Sequence, residues 1–178
     1  MFHMICGSIG AGKTTYATAL SERLGGIHFS ADQWMVALYA KDSPQPMQWA
    51  WTIERVRRCE AQMARMAIQC ARRRVPSILD QAFLRAEDRA KFVAVARKAG
   101  LAARLHFVDV PADERWKRVE ARNTEKGETF SLEVSRRVFD FIEGLWKPPT
   151  ADEMAALHGV RVPDGLTPRT AASSRHSP

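Results

Sequence analysis

Short apolar runs alternate along the chain with longer stretches in which apolar residues recur every three or four positions. The short runs lack the apolar–polar alternation of half-exposed strands, and are typical of strands buried on both faces of a parallel sheet. The longer stretches are typical of amphipathic helices. This pattern predicts strands at 2–6, 27–30, 76–80, 102–110 and 158–163.

Helices are predicted between these strands, and local signals set their ends. Gly25 and Gly26 end the first helix, Pro76 follows the long third one, and Ser131 begins the last with Glu133 near its first turn. The predicted helices cover 13–25, 32–40, 49–74, 85–100, 112–123 and 131–146. The predicted fold is therefore α/β, with a parallel sheet of about five strands, helices on both faces, and ligands at the carboxyl ends of the strands.

The length of 178 residues predicts one domain, which we place at 1–164. Hydrophobic residues make up 46% and charged residues 26%, which are ordinary values for a globular protein. The segment 165–178 is rich in Ser, Thr, Pro and Arg and lacks periodic apolar residues, so we expect a flexible tail there.

Neither a signal peptide nor a run of roughly 18 apolar residues is present, so we expect a cytoplasmic protein without a membrane span. The three cysteines have no metal-like spacing, and we expect reduced thiols. The five histidines also lack ligand spacing. A net charge of +7 suits a nucleic-acid partner, and equally a protein that binds an anionic nucleotide.

The sequence "GSIGAGKT" at 7–14 matches the pattern G-x-x-x-x-G-K-[ST] between a predicted strand and a predicted helix. Glycines let the backbone of such a loop turn tightly and direct its N–H groups at phosphate oxygens. Lys13 is expected to reach the β- and γ-phosphates, and the Thr14 hydroxyl to bind Mg²⁺. The expected nucleotide-binding set is Gly7, Ser8, Ile9, Gly10, Ala11, Gly12, Lys13, Thr14 and Thr15.

Two acidic residues follow predicted strands at the same edge of the sheet. Asp32 follows the second strand, where a carboxylate would accept the proton of an attacking hydroxyl group. The alternative is that Asp32 only caps the helix that begins at Gln33. Asp80 ends the strand "SILD" and is expected to hold the Mg²⁺ shell through water, or else to be an ordinary turn residue.

Arginines supply the remaining candidate chemistry. Arg118 and Arg122 lie one helical turn apart, and such a pair would cover a transferring phosphoryl group, although exposed helix arginines are common. The arginines between 55 and 74 are scattered around their helix, which favours a solvated surface over a binding stripe.

Four segments together resemble the small phosphate-loop kinases that include phage-type polynucleotide kinase, zeta toxins and chloramphenicol phosphotransferase. They are "GSIGAGKTTYATAL", "FSADQWM", "ILDQAF" and "RNTEKGETF", and the resemblance covers roughly residues 1–150. It implies the P-loop NTPase fold with a helical lid at about 112–147. It also implies that Asp32 activates the substrate hydroxyl and that Arg118, Arg122 and Lys126 contact phosphate from the lid.

The sequence departs from this family pattern at two places. Lys126 stands where an arginine is usual, which removes the bidentate phosphate contact that a guanidinium would make. Asp32 is followed by "QW" and not by the second acid and the arginine typical of polynucleotide kinases. The part of the pattern that would recognise a nucleic-acid end is thus not clearly present.

The leading hypothesis is an ATP- and Mg²⁺-dependent kinase that phosphorylates a hydroxyl group of a small molecule. One alternative is a 5′-hydroxyl polynucleotide kinase, and another is an ATP-hydrolysing switch module without a phosphoryl acceptor. The aromatic and apolar residues near Asp32 would either line the acceptor pocket or pack as ordinary core, namely Trp34, Met35, Tyr39, Trp49 and Trp51.

Overall fold

The computed structural model describes residues 1–125 and 133–163, and it contains a five-stranded parallel sheet. The strands are β1 (Phe2–Cys6), β2 (Ile27–Ser30), β3 (Ser77–Asp80), β4 (Ala103–Asp109) and β5 (Val160–Pro163). Their order across the sheet is β2-β3-β1-β4-β5. Every residue of β1 and of β3 is buried, as the unbroken apolar runs predict for central strands covered on both faces.

Seven helices connect and cover these strands within the described ranges. They are α1 (Lys13–Leu24), α2 (Ala31–Tyr39), α3 (Trp49–Arg72), α4 (Ala86–Lys98), α5 (Ala112–Glu125), α6 (Arg136–Leu145) and α7 (Ala151–Ala156). A short 3₁₀ turn, Ala40–Asp42, follows α2. The predicted α/β fold, with its parallel sheet and alternating helices, is confirmed.

The core has two layers, one on each face of the sheet. On one face α1 packs through Ala17 and Leu20 against Ile5, Ile78 and Val108 of three adjacent strands. On the other face α3 and α4 pack against the remaining strand side chains, in a cluster that includes Met4, Leu79, Leu105, Met63, Ala67, Phe92 and Ala96. The sheet is therefore shielded on both sides, and its carboxyl edge is the open end.

The last predicted helix begins later than expected. Its cap is Ser135, whose hydroxyl accepts a hydrogen bond from the Val138 N–H, and the predicted cap Ser131 lies outside the described residues. The Asn123 side chain bonds both backbone groups of Val134, with Nδ2–O and N–Oδ1 distances of 2.8 and 3.1 Å. These bonds hold Val134 against α5, so 133–135 stay outside the helix despite the helical pattern.

Helix α7 is missing from the sequence-based prediction. Thr150 caps it, and the Thr150 hydroxyl and the Glu153 carboxylate bond each other's backbone N–H groups in a capping box. The spacing T-x-x-E is a known start signal for a helix and was available in the sequence. The flexible tail predicted at 165–178 lies outside the described residues.

Candidate functional site

The parallel sheet brings three sequence-distant segments to one edge. In the register of the strands, Asp80 lies beside Ser30 of β2 and Ile5 of β1. Because the strands are parallel, the loop after β1, the start of α2 and the end of β3 all emerge at the same carboxyl edge. The predicted phosphate loop, Asp32 and Asp80 therefore share this edge.

The phosphate loop, residues 7–12, requires glycine at positions where the backbone passes very close to its neighbours. A Cβ on Gly7 would lie 2.8 Å from the Val108 carbonyl oxygen. A Cβ on Gly10, whose φ is +77°, would lie 2.5 Å from the Arg115 carbonyl oxygen. Neither contact leaves room for a side chain, so the loop can lie against β4 and α5 only with glycine at both positions.

The other loop residues contribute backbone groups or packing. Ile9 packs with Val119 and Phe139, and Ala11 belongs to the core layer under α1. The loop ends at the amino terminus of α1, where free N–H groups and the helix dipole favour an anion. These features fit the binding of nucleotide phosphates by the loop backbone.

Lys13 and Thr14 open α1 directly behind the loop. The Lys13 ammonium group donates to the Ser8 carbonyl oxygen at 3.2 Å, so the side chain folds back over the loop. The Thr14 side chain is half-buried in the same first turn, while Thr15 is exposed. Lys13 and Thr14 thus lie where phosphate and a phosphate-bound metal ion would be held.

Asp32 lies in the first turn of α2, but it is not the helix cap. That position belongs to Ser30, whose hydroxyl accepts a hydrogen bond from the Gln33 N–H at 3.3 Å. Asp32 as a whole residue is exposed, although protein atoms crowd around its carboxyl group. The pKa of Asp32 is raised, mainly by this partial removal from water and further by the Asp80 charge, against the opposing charges of Lys13 and Arg122.

Asp80 is the last residue of β3 and is 4% exposed. Its Oδ2 accepts a hydrogen bond from the His28 Nε2 at 3.1 Å. Among the described residues there is no group of three or more His, Cys, Asp or Glu that would hold a metal by itself. The donors here are one carboxylate and the Thr14 hydroxyl, and such a small set of hard oxygens fits Mg²⁺ that is also bound by phosphates and water.

Arg118 and Arg122 approach this edge from α5. The Arg118 Nη1 lies 3.9 Å from the Cβ position of Gly12, at the end of the phosphate loop. Arg122 is close enough to Asp32 for its charge to lower the pKa of that carboxyl group. The Arg122 Nε is buried without a hydrogen-bond partner among the described residues. Arg118 thus lies near the phosphate loop and Arg122 near Asp32. Lys126 lies outside the described ranges.

Three further residues of this region were not predicted. Gln81, which follows Asp80, has a buried Oε1 that also lacks a partner within the part of the chain that the structure describes. Buried Arg115 and partly exposed Glu143 form an ion pair that contacts the phosphate loop. Position after a strand was an available signal for Gln81, but nothing in the local sequence separates Arg115 from its basic neighbours.

The aromatic residues near Asp32 divide into core and surface. Trp34 packs edge-on against Phe29 and joins the core. Trp49 is half-exposed, and its ring centroid lies 5.4 Å from that of Phe141 on α6. Trp49 thus joins the start of α3 to α6.

The remaining two aromatic residues surround an arginine. The Arg55 guanidinium lies 3.9 Å from the Trp51 ring centroid and 5.9 Å from that of Tyr39. The two rings also pack edge-on against each other. Tyr39 and Trp51 are therefore packed around Arg55, whereas Met35 is half-buried on α2.

A shallow cavity of about 240 Å³ lies at the opposite end of the sheet, beside the start of β4. Its lining includes Val93, Leu101, Ala103 and Leu157. The amino ends of the strands are remote from the phosphate loop, so this cavity is not part of the candidate site. No helix in 1–125 or 133–163 combines the length and the apolar character needed to cross a membrane.

Solved structures with this architecture include several kinases. The unliganded sugar kinase of Janibacter sp. HTCC2649 is 15% identical, with a TM-score of 0.67, over 95% of this chain and 88% of that chain. Kti12 of Chaetomium thermophilum, solved with ADP-AlF3, is 15% identical, with a TM-score of 0.70, over 96% and 94%. Mycobacterium tuberculosis APS kinase CysC, solved with AMPPNP and APS, is 17% identical, with a TM-score of 0.62, over 96% and 92%.

These similarities confirm the fold that the resemblance to small phosphate-loop kinases implies. The comparison with curated proteins gives no match. The family model described as "AAA domain" matches residues 2–145, which is most of the chain. This chain therefore belongs to the AAA domain family and has the phosphate-loop fold found in kinases.

Proposed function

We propose that this protein is a kinase that transfers the γ-phosphoryl group of ATP to a hydroxyl group of a small molecule. The observation that carries the proposal is the grouping of Lys13, Asp32 and Arg122 close enough for their charges to interact, beside the phosphate loop. A site that only binds a nucleotide needs the loop and the lysine. An additional carboxylate beside the phosphate loop suits proton removal from an acceptor.

On the donor side, the loop amides and Lys13 would hold the phosphates of ATP. Thr14 and Asp80 would hold Mg²⁺ together with phosphate oxygens, and the ion would neutralise charge on the β- and γ-phosphates. Arg118 and Arg122 would stabilise the charge that spreads over the transferred group. We include α5 and α6 in a lid that spans about 112–147.

On the acceptor side, the substrate oxygen would attack the γ-phosphorus while its proton passes to the Asp32 carboxylate. The bond between the γ-phosphorus and the β–γ bridging oxygen breaks, and ADP leaves with that oxygen. The raised pKa of Asp32 makes its carboxylate a stronger base than an ordinary aspartate, while Lys13 and Arg122 limit the increase.

The kinases among the structural neighbours support this proposal. One is a sugar kinase, and another, APS kinase, was solved with the ATP analogue AMPPNP. The three cysteines are free, which agrees with the further proposal that the protein works in the reducing cytoplasm.

A screen of hydroxyl compounds for ADP release tests the proposal, with Asp32→Asn as the decisive variant. We expect phosphoryl transfer to fall by about a hundredfold or more, because general base catalysis contributes at least that much, while ATP binding persists. Asp152→Asn, in exposed α7 sequence, is the matched control and should retain full activity. Equal ADP release by Asp32→Asn and the parent protein would contradict the assignment of Asp32 as the base.

The same screen separates two alternatives. The net charge of +7 favours a nucleic-acid acceptor, so the panel includes an oligonucleotide with a 5′-hydroxyl end, whose binding should weaken steeply with salt. ATP hydrolysis without any labelled acceptor, unchanged in Asp32→Asn, would instead indicate a switch module.

A further inference from the structure

An ion pair between a buried arginine and a partly exposed glutamate joins the two helices on either side of the segment 126–132. Arg115 of α5 is 4% exposed, and its Nη1 and Nη2 donate to Oε2 and Oε1 of Glu143 at 2.7 and 2.8 Å. Glu143 lies in the last turn of α6, and the hydrogen bonds from Arg115 are the main reason for its lowered pKa. Both groups are thus charged and locked in a two-pronged contact.

The same pair extends to the phosphate loop through two more hydrogen bonds. The Arg115 Nη1 donates to the Ile9 carbonyl oxygen at 3.2 Å, and the Ser8 hydroxyl donates to the Glu143 Oε2 at 3.0 Å. The Arg115 Nε donates to the Val110 carbonyl oxygen at 2.8 Å, which anchors the guanidinium to the end of β4. The phosphate loop is therefore hydrogen-bonded to one terminal atom of each charged side chain, the Arg115 Nη1 and the Glu143 Oε2.

These bonds affect which way the loop amides face. Across a trans peptide the C=O and the following N–H point in opposite directions, so fixing the Ile9 carbonyl on Arg115 turns the Gly10 N–H away from α5. The Arg115 backbone also lies against Gly10, where a Cβ would come within 2.5 Å of its carbonyl oxygen. Helix α5 thus fixes both the position and the orientation of this peptide.

Helix α5 also carries Arg118 and Arg122, the two proposed phosphate contacts. Their placement relative to the loop depends on the position of α5, and the hydrogen bonds of Arg115 to Val110 and Ile9 hold α5 in that position. We infer that Arg115 and Glu143 are positioning residues for nucleotide binding, which hold the phosphate loop and the arginine-bearing helix in one fixed arrangement. This inference rests on the nucleotide binding in the proposed function and requires no phosphoryl acceptor.

The molecule contains its own control, since a second buried arginine pairs with a glutamate in the same way. Arg89 is 1% exposed, and its Nε and Nη2 donate to Oε1 and Oε2 of Glu153 at 2.7 and 2.8 Å. Its Nη1 donates to the carbonyl oxygens of Phe83 and Lys147. This pair joins α4 to α7, and these contacts lie outside the phosphate loop.

The experiment compares Glu143→Gln with Glu153→Gln, measuring the dissociation constant of a fluorescent ADP analogue and the thermal unfolding of each variant. Both should unfold at lower temperature, because each leaves a buried guanidinium without its counter-charge. Only Glu143→Gln should bind the analogue about tenfold more weakly, the expected result of losing one charge-assisted hydrogen-bond network. Glu153→Gln should stay within about twofold of the parent protein.

Ser8→Ala tests the loop end of the network and keeps the ion pair intact, so it also serves if Glu143→Gln does not fold. It should weaken analogue binding several-fold with little change in unfolding temperature. In the double variant Ser8→Ala/Glu143→Gln the two losses should be less than multiplicative, because both remove the same link. Unchanged binding by Ser8→Ala, or equal binding losses in Glu143→Gln and Glu153→Gln, overturns the inference, whether or not an acceptor is found.

Discussion

Two buried histidines connect β1 and β4 to α1 and should make the fold sensitive to acid. The Nδ1 of His3 lies 3.0 Å from the Nε2 of His106, and the Nδ1 of His106 lies 2.8 Å from the Tyr16 hydroxyl. Their exposed fractions are 8% and 4%. Burial lowers the pKa of His3 to about 4 and that of His106 to about 3, with nearby positive charges adding to the effect.

The direction of the pH dependence of stability follows from comparing proton binding in the folded and unfolded states. An unfolded histidine takes up a proton near pH 6.5, whereas the folded pair resists protonation down to about pH 4 and about pH 3. The unfolded chain therefore binds more protons in this window, and stability falls as the pH falls through it. For each histidine that stays neutral in the folded state, the free energy of unfolding decreases by about 2 kcal/mol from pH 7 to pH 5, which gives roughly 4 kcal/mol for the pair.

Urea unfolding of the parent protein and of His106→Gln at pH 7 and pH 5 measures this effect. Titrating groups remote from the pair contribute equally to both proteins, and burial, the main cause of the His3 shift, remains in the variant, so the informative quantity is the difference in pH-dependent loss of stability. We expect the loss to be smaller in His106→Gln by about 2 kcal/mol, since one titrating group is gone. His158→Gln, at an exposed histidine, is the matched control for the substitution itself. The same loss in His106→Gln and the parent protein would refute this account of the buried pair.

Two further predictions concern the candidate site. Because the pKa of Asp32 is raised, the rate of phosphoryl transfer should begin to fall, as the pH decreases, at a pH above the range in which an ordinary aspartate is protonated. Profiles of rate against pH at saturating ATP would measure this. A transfer rate that does not change until the pH reaches the range of an ordinary aspartate would contradict the assignment. Trp49→Ala should raise the KM for the acceptor several-fold and change the KM for ATP much less in steady-state assays, because Trp49 lies beside Phe141 and outside the phosphate loop; equal changes in both constants would argue for general misfolding.

The sheet and the phosphate loop were predictable because their signals are local. Residues 2–6 and 77–80 form unbroken buried runs. Gly7 and Gly10 lie where the backbone passes too close to its neighbours for a side chain, so both positions require glycine and give the loop a recognisable sequence pattern. The end of the sheet at which ligands bind follows from parallel pairing alone. Periodicity and motif spacing were therefore sufficient for the fold and for the place of the phosphate loop in it.

Contacts between distant segments were not predictable. Arg115, Lys117, Arg118 and Arg122 all lie on one helix, and only the approach of Glu143 decides that Arg115 is buried. Likewise, Ser30 and Asp32 are both suitable helix caps, and the path of the chain leaving β2 gives this position to Ser30. Local sequence offers several equivalent candidates in each case, and tertiary packing selects one.

The proposed acceptor side depends on tertiary packing even more strongly. Helix α3 has 24 residues, about 36 Å at 1.5 Å per residue, whereas β3 has four. Since the carboxyl end of α3 leads into the start of β3, its amino end must extend past the carboxyl edge of the sheet. The stripe that is buried at Met63 and Ala67 therefore continues as half-exposed Trp49 and Ile53.

This overhanging part of α3 contacts α6 through Trp49 and Phe141, and α6 in turn contacts the phosphate loop through Glu143. Helix α6 thus connects the start of α3, on the proposed acceptor side, to the phosphate loop. A substrate that enters between α3 and α6 would move the helix that holds Ser8, so acceptor and nucleotide binding should be coupled energetically. Titrating the ADP analogue into protein saturated with an acceptor from the screen should give a dissociation constant different from that of acceptor-free protein. Replacing Phe141 by alanine should reduce this difference, because it removes the contact between the two helices; an undiminished difference would show that the coupling follows another route.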